Sequence, residues 1–254
     1  MTGLDFVLDR TVTIAARRET VFRYFTDSER FAAWWGAGSR IEPVSRGAVY
    51  IRFPNAIVAG GEVVEIVPPE RIVFSYGFES GQPIAIGASR VTITLEESSH
   101  GTLVRLRHEL PTASARDEHV QGWRYQLAVF ANVVAKEAHA GASALADRFF
   151  ACWGEPDAAK RRSELAAVAA AELAFRDPYS CTSGIDDLNA HIAASQQFMP
   201  GVVLARQGEA RGCQGTALVD WVVKGPDGND RAKGTNVFEL THDGRIARVT
   251  GFWA

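Results

Sequence analysis

Apolar and polar positions group along this chain into two successive waves. Residues 6–15 alternate with the two-residue period of a strand, and Phe6, Leu8, Val12 and Ile14 share one face. From Arg17 to Thr26 the spacing becomes helical, with Val21, Phe22 and Phe25 on the apolar side. Asp27 stands where an N-cap opens a second short helix, which ends in Trp34-Trp35 because Gly36 and Gly38 stop it. Strand-like stretches follow at 48–53, 57–67, 71–78, 89–97 and 102–110, broken by Pro54-Asn55, Pro68-Pro69, the 80–83 loop and Ser98 to Gly101. Such short connections exclude parallel crossovers, so the sheet is expected to be antiparallel. A long helix over 114–139 carries Val120, Trp123, Leu127, Phe130 and Val134 on one stripe. A curved sheet gripping that helix is the simplest way to bury it.

After a break at 139–143 the pattern restarts. Helices are predicted over 144–153, 158–170 and 185–197, with a short strand from Leu173 to Phe175 between the second and third. Strands near 202–211, 216–224, 232–241 and 245–253 form a later antiparallel meander. No repeat relates the halves, so the pattern predicts two different α+β domains, 1–140 and 141–254. Each is expected to curve its sheet around an apolar, ligand-sized hollow.

Composition narrows the functional classes. Of 254 residues 46% are apolar and 22% charged, with a net charge of −3 and no basic block. Nucleic acid is therefore not an expected partner. No apolar run reaches the roughly 20 residues of a membrane span, and the N-terminus has no secretory pattern, so no membrane association and a cytoplasmic location are expected. Cys152, Cys181 and Cys213 are odd in number and widely spaced, which is no disulfide framework. The six histidines (100, 108, 119, 139, 191 and 242) lack metal-ligand spacing, and phosphate-binding glycine loops are absent, so no metal and no cofactor are expected. Four lysines against 23 arginines suggest a bacterial genome.

Parity along the strands picks out candidate chemistry. In 102–110, Val104, Leu106, His108 and Leu110 point one way and Arg105 and Arg107 the other. His108 is thus either a core histidine bonded to a backbone carbonyl or a ligand-facing group. Tyr76 and Trp123 combine apolar bodies with polar handles. The runs Thr20 to Asp27, Trp34-Trp35-Gly36, Gly60-Gly61-Glu62-Val63, Ile66 to Phe74 and Gly122-Trp123 resemble the domain shared by activators of Hsp90 ATPase, within the START-like (SRPBCC) helix-grip superfamily. The resemblance covers about 1–140 and implies a deep cavity between sheet and long helix. Trp34, Trp35, Phe53, Phe74, Tyr76, His108 and Trp123 are its candidate lining. The separate Hsp90-binding domain of the eukaryotic co-chaperones has no counterpart before this domain, which weighs against Hsp90 as a partner.

In the second half, Ala174-Phe175-Arg176-Asp177-Pro178, Asn236 to Leu240 and Asp243-Gly244-Arg245-Ile246 resemble the SnoaL-like (NTF2-like) family, over about 142–254. The resemblance implies an α+β cone with a pocket at its wide end. In the ketosteroid isomerases of that superfamily an aspartate after the first strand moves a proton beside a carbonyl, and Asp177 matches its position. Asp177 also reads simply as a turn residue before Pro178. The resemblance places Asn236 where a second oxyanion donor stands, and Phe149 where a tyrosine would. Parity places Asn236, Phe238 and Leu240 on one face, joined by Val249, Gly251 and Trp253, and Phe149, Phe238 and Trp253 are the candidate lining of this pocket. Asp220, beside Leu218 and Val222, is a candidate second pocket carboxylate. The expected function is binding of a small hydrophobic molecule in one or both cavities, with cofactor-free isomerase, cyclase or hydratase-like proton transfer as its enzymatic form. The alternatives are an Hsp90-linked co-chaperone or stress-response interaction module without catalysis, and a homodimer built through the open sheet face is one expected assembly.

Overall fold

A computed structural model describes residues 3–254, and the chain divides into one unit running to Ala135 and another from Lys136. In the first unit β1 (Phe6–Ile14), β2 (Arg40–Ile41), β3 (Ala48–Arg52), β4 (Val58–Val67), β5 (Arg71–Phe78), β6 (Ser89–Ser98) and β7 (Gly101–Leu110) form a seven-stranded sheet. Its order is β1-β7-β6-β5-β4-β3-β2, and every pairing is antiparallel. The parity of β7 decides its faces. Val104, Leu106, His108 and Leu110 are buried, while Arg105 is exposed and donates to Glu96 at 2.7 Å.

The segment 17–26, expected as one helix, divides into α1 (Arg18–Phe22) and a 3₁₀ turn over Arg23–Phe25. Val21, Phe22, Tyr24 and Phe25 are all buried, more consecutive apolar positions than one α-helical face carries, and the tighter last turn accommodates them. In α2 (Ser28–Trp35) Asp27 is the N-cap, its carboxylate accepting the Arg30 N–H at 3.0 Å. That bond holds the Asp27 carboxyl below its usual range. Gly36 ends α2 at φ 136°, where a Cβ would lie 2.3 Å from the Arg52 carbonyl oxygen. Only glycine lets the chain pass there, and this close approach sets the Trp35 ring 5.7 Å from Phe53.

The long helix α3 (Ala113–Ala138) buries Trp123, Leu127, Phe130 and Val134, but also His119 and Gln126, while Val120 is only half-buried. The buried stripe is thus wider and more polar than its apolar residues alone predict.

The second unit begins with α4 (Ala142–Cys152) and α5 (Ala158–Val168), then β8 (Ala169–Asp177), β9 (Ser180–Ser183) and α6 (Ile185–Phe198). It ends with β10 (Val203–Cys213), β11 (Thr216–Lys224), β12 (Asp230–Leu240) and β13 (Ile246–Trp253). The six-stranded sheet has the order β10-β11-β12-β13-β8-β9, and β8 runs parallel to β13 within an otherwise antiparallel sheet. The helix expected over 158–170 ends at Val168. The alanine-rich stretch 166–171, interrupted by Val168, has high helical propensity, but Ala169 pairs with Ile246, and tertiary pairing overrides local preference. The strand expected at Leu173 to Phe175 is accordingly longer, and the short strands β2 and β9 are found besides the expected ones.

Phe149, Phe150, Leu165, Leu173, Phe175, Trp221 and Phe238 are buried together in the core of this unit. Arg161 is also buried, with its guanidinium donating to Asn189 Oδ1 at 2.7 Å and the Glu155 carbonyl at 2.6 Å. It ties α5 to α6 and to the turn before α5 through neutral acceptors.

Candidate functional site

The first unit holds a cavity of about 610 Å³ between α2, α3 and the strands and loops around Phe53 and Phe78. That volume lies within the range of small-molecule sites, about 300–1,000 Å³. Trp34, Trp35, Phe53, Tyr76 and Trp123 line it. Phe74 and His108, expected with them, are fully buried in the core instead. Phe78, His119, Gln126 and Gly122 complete much of the wall. The aromatic rings brace each other: Trp34 and Trp35 lie 4.3 Å apart, and Trp35 and Trp123 5.6 Å apart. Glu118, at the rim on α3, is the one charged lining residue, and neither lysine nor arginine faces the space.

His108 supports this wall from behind through a chain of hydrogen bonds. The Trp123 indole N–H donates to His108 Nδ1 at 2.9 Å, which places the imidazole proton on Nε2. Nε2 lies 2.8 Å from Ser89 Oγ, whose hydroxyl donates to the Tyr76 carbonyl at 2.8 Å. Burial, and then the neighbouring His119, push the His108 pKa down to about 3. Burial likewise pushes the Tyr76 phenol up. The resulting network is neutral, and it holds two wall residues in place.

Three buried nitrogens of lining residues have no hydrogen-bond partner: Trp34 Nε1, Trp35 Nε1 and His119 Nε2. Each such orphan costs about 1–3 kcal/mol. His119 and Gln126 escaped the sequence reading. The available signal was their spacing, since they stand four residues before and three after Trp123 on one helical face. Gly122 faces open space, and a Cβ there meets nothing within 4 Å. A mid-helix glycine costs about 1 kcal/mol relative to alanine, and no packing contact at this position accounts for it.

In the second unit a smaller cavity measures about 60 Å³. Asp177, Asn236, Gly251 and Trp253 line this space with Trp153, Phe175 and Trp221. Phe149 and Phe238, expected in the lining, fill the core beneath it. Asp177 closes the turn between β8 and β9: Oδ1 accepts the Tyr179 N–H at 2.9 Å and the Ser180 hydroxyl at 3.0 Å, and Oδ2 accepts the Trp253 indole at 3.4 Å. Asn236 Oδ1 accepts the Trp221 indole N–H at 2.9 Å. Gly251 lies between the two, for a Cβ there would sit 3.0 Å from Asn236 Oδ1 and 3.2 Å from Asp177 Cβ.

Asp220 is not a pocket carboxylate. Val219, Trp221 and Val223 take the inner face of β11, and Asp220 pairs on the other face with Arg211 at 3.0 Å and Thr235 at 2.6 Å. Among the described residues no group of three or more His, Cys, Asp or Glu is placed to hold a metal ion. Among them, too, no helix is long and apolar enough to cross a membrane.

An antiparallel sheet gripping a long helix over an aromatic cavity, followed by an α+β cone, defines a protein of two α+β domains. The family of Activator of Hsp90 ATPase homolog 1-like proteins matches residues 15–135. An AHSA1-like protein from Rhizobium etli is 34% identical over 51% of this chain and 82% of its own, with a TM-score of 0.43. A SnoaL-like family protein from Agrobacterium tumefaciens is 30% identical over 46% of this chain and 98% of its own, also at 0.43. The Aha1 dimer from Colwellia psychrerythraea is 17% identical over 48% of this chain and 90% of its own, at 0.42. No curated protein matches the chain.

Proposed function

We propose that this protein binds a small, neutral, hydrophobic molecule in the cavity of its first unit. The observation that carries this reading is the aromatic-walled space of about 610 Å³. The apolar body of a bound ligand gains about 25 cal/mol for each Å² removed from water. The wall lacks cations, which speaks against carboxylate or phosphate ligands.

The test is a cavity-filling substitution, Gly122→Leu, at a position where a Cβ meets nothing. The wild-type protein is expected to bind N-phenyl-1-naphthylamine, a neutral fluorescent probe, with one-to-one stoichiometry. Gly122→Leu is expected to weaken that binding at least tenfold without lowering the unfolding midpoint, because it replaces a helical glycine with a strong helix former. A wild-type protein that leaves the probe's fluorescence unchanged overturns the reading.

A second reading rests on the placement of Asp177 and Asn236 on either side of Gly251. In it the Asp177 carboxylate takes a proton from carbon beside a substrate carbonyl, and Asn236 donates to the oxygen where charge develops. The space of about 60 Å³ must then widen to admit substrate. Asp177→Asn keeps the acceptor the turn uses and removes the base, so any such activity is expected to disappear in that variant.

A further inference from the structure

We propose that the Tyr76 hydroxyl donates a hydrogen bond to a carbonyl oxygen of the ligand, so that the first cavity takes neutral aromatic carbonyl compounds. This rests on the cavity reading above and adds the ligand's functional group to it.

Tyr76 stands on the inner face of β5, in parity with the buried Ile72 and Phe74. It is 3% exposed and lines the cavity. Four rings surround its own, those of Phe78, His108, His119 and Trp123, at centroid distances of 5.5, 5.5, 5.9 and 6.5 Å. Its backbone carbonyl accepts from Ser89 at the end of the His108 chain. Ring and backbone are both held, so little ordering remains to be done when a ligand arrives.

The hydroxyl itself has no hydrogen-bond partner among the described residues, and burial raises its pKa with no bond to oppose the shift. The unpartnered polar atoms of this wall that are sealed from any probe are the nitrogens of Trp34, Trp35 and His119. Tyr76 Oη is not one of them: buried among rings yet not sealed, it keeps accessible surface toward the space that Tyr76 lines. Its proton stays on the oxygen and is free to be given.

The other polar side chains of the lining are differently placed. Gln126 turns its amide nitrogen to the Trp34 carbonyl. Asn55, Glu118 and Tyr125 are exposed at the rim, where a hydrogen bond to ligand only replaces one to water. An apolar body filling the cavity strips water from Tyr76, and an acceptor on the ligand restores the lost bond. A carbonyl accepts strongly and brings no proton of its own for an aromatic wall to leave unmatched.

The experiment compares 2-acetonaphthone with 2-isopropylnaphthalene, bodies of nearly one shape with and without the carbonyl. Displacement of N-phenyl-1-naphthylamine from the full-length protein reads both affinities. Tyr76→Phe is expected to weaken 2-acetonaphthone about 3–10-fold, the worth of one net hydrogen bond, and to hold 2-isopropylnaphthalene equally or more tightly. The unfolding midpoint of this variant is expected not to fall, because the hydroxyl bonds nothing in the protein. Infrared spectra of the ketone, labelled with carbon-13 at its carbonyl, are expected to show the stretch at lower wavenumber on the wild-type protein than on Tyr76→Phe. Equal ketone affinities with one stretching frequency overturn the inference and leave the cavity reading standing. So does a loss of both compounds with a lowered midpoint, since Tyr76 then acts through the fold. A wild-type protein that holds neither compound nor the probe overturns the two readings together.

Discussion

The two units follow one plan, helices laid across a curved sheet, yet the candidate cavity is about 610 Å³ in one and about 60 Å³ in the other. The difference lies in what the side chains between the layers do. In the second unit Phe149, Phe150 and Phe238 pack edge to face within 5.5–6.1 Å and fill the middle. Its Trp221 and Trp253 indoles give their protons to Asn236 and Asp177, leaving Trp153 Nε1 as the unpartnered nitrogen of that lining. In the first unit the tryptophans brace one another around the space, and the orphans stay in the wall. In both units the lining's polar groups largely serve the fold, as Trp123 does through His108 in the first and Trp221 through Asn236 in the second. A layer plan does not determine a cavity; side-chain closure does.

The sharpest way to separate the units is acid. His108 is held neutral, with its pKa lowered from 6.5 to about 3, so the unfolded chain binds a proton there that the folded chain refuses. Its contribution is complete above pH 6.5 and is lost as pH falls from 6.5 toward 3. At about 1.4 kcal/mol per unit the loss by pH 3 is about 4–5 kcal/mol, and His119 moves in the same direction. The second unit has no histidine among its buried residues. Hydrogen exchange is expected to show protection in β6 and β7 falling over this range well before that of β11 and β12. In His108→Gln the fall should be shallower, and parallel losses in both sheets contradict the account.

Gly251→Val tests the smaller cavity. Its first added atom lands against Asn236 and Asp177, so overpacking is expected to cost about 1–3 kcal/mol in denaturant unfolding. Probe affinity in the first cavity should not change; a loss there would place the binding site in the wrong unit.

The smallest effect separates the turn role of Asp177 from a role for its charge. Asp177→Ala removes the acceptor for Tyr179 and Ser180 and is expected to cost about 1 kcal/mol, while Asp177→Asn keeps it and stays within about 0.5 kcal/mol. An equal loss in both variants means that the charge itself stabilises the fold.

Much of the architecture was legible in the residues because local rules act over a few positions. Asp27 caps α2 by reaching a backbone N–H three residues on, and β7 sorts its faces by parity. Parity failed at Asp220 because both faces of β11 carry apolar residues, Leu218 and Val222 on one and Val219, Trp221 and Val223 on the other. The start of β8 was hidden in an alanine-rich stretch whose end depends on Ile246, 77 positions away from its partner Ala169.

The chain by itself determined two α+β units, the order of their main elements and the positions of Asp177, Asn236 and the aromatic residues, since turn chemistry and hydrophobic period are local. Only the tertiary structure decided that His119 and not His108 lines the first cavity, because that depends on which nitrogens find partners across the sheet. It also decided which hollow stays open, a matter of how distant rings meet and not of any one residue's identity.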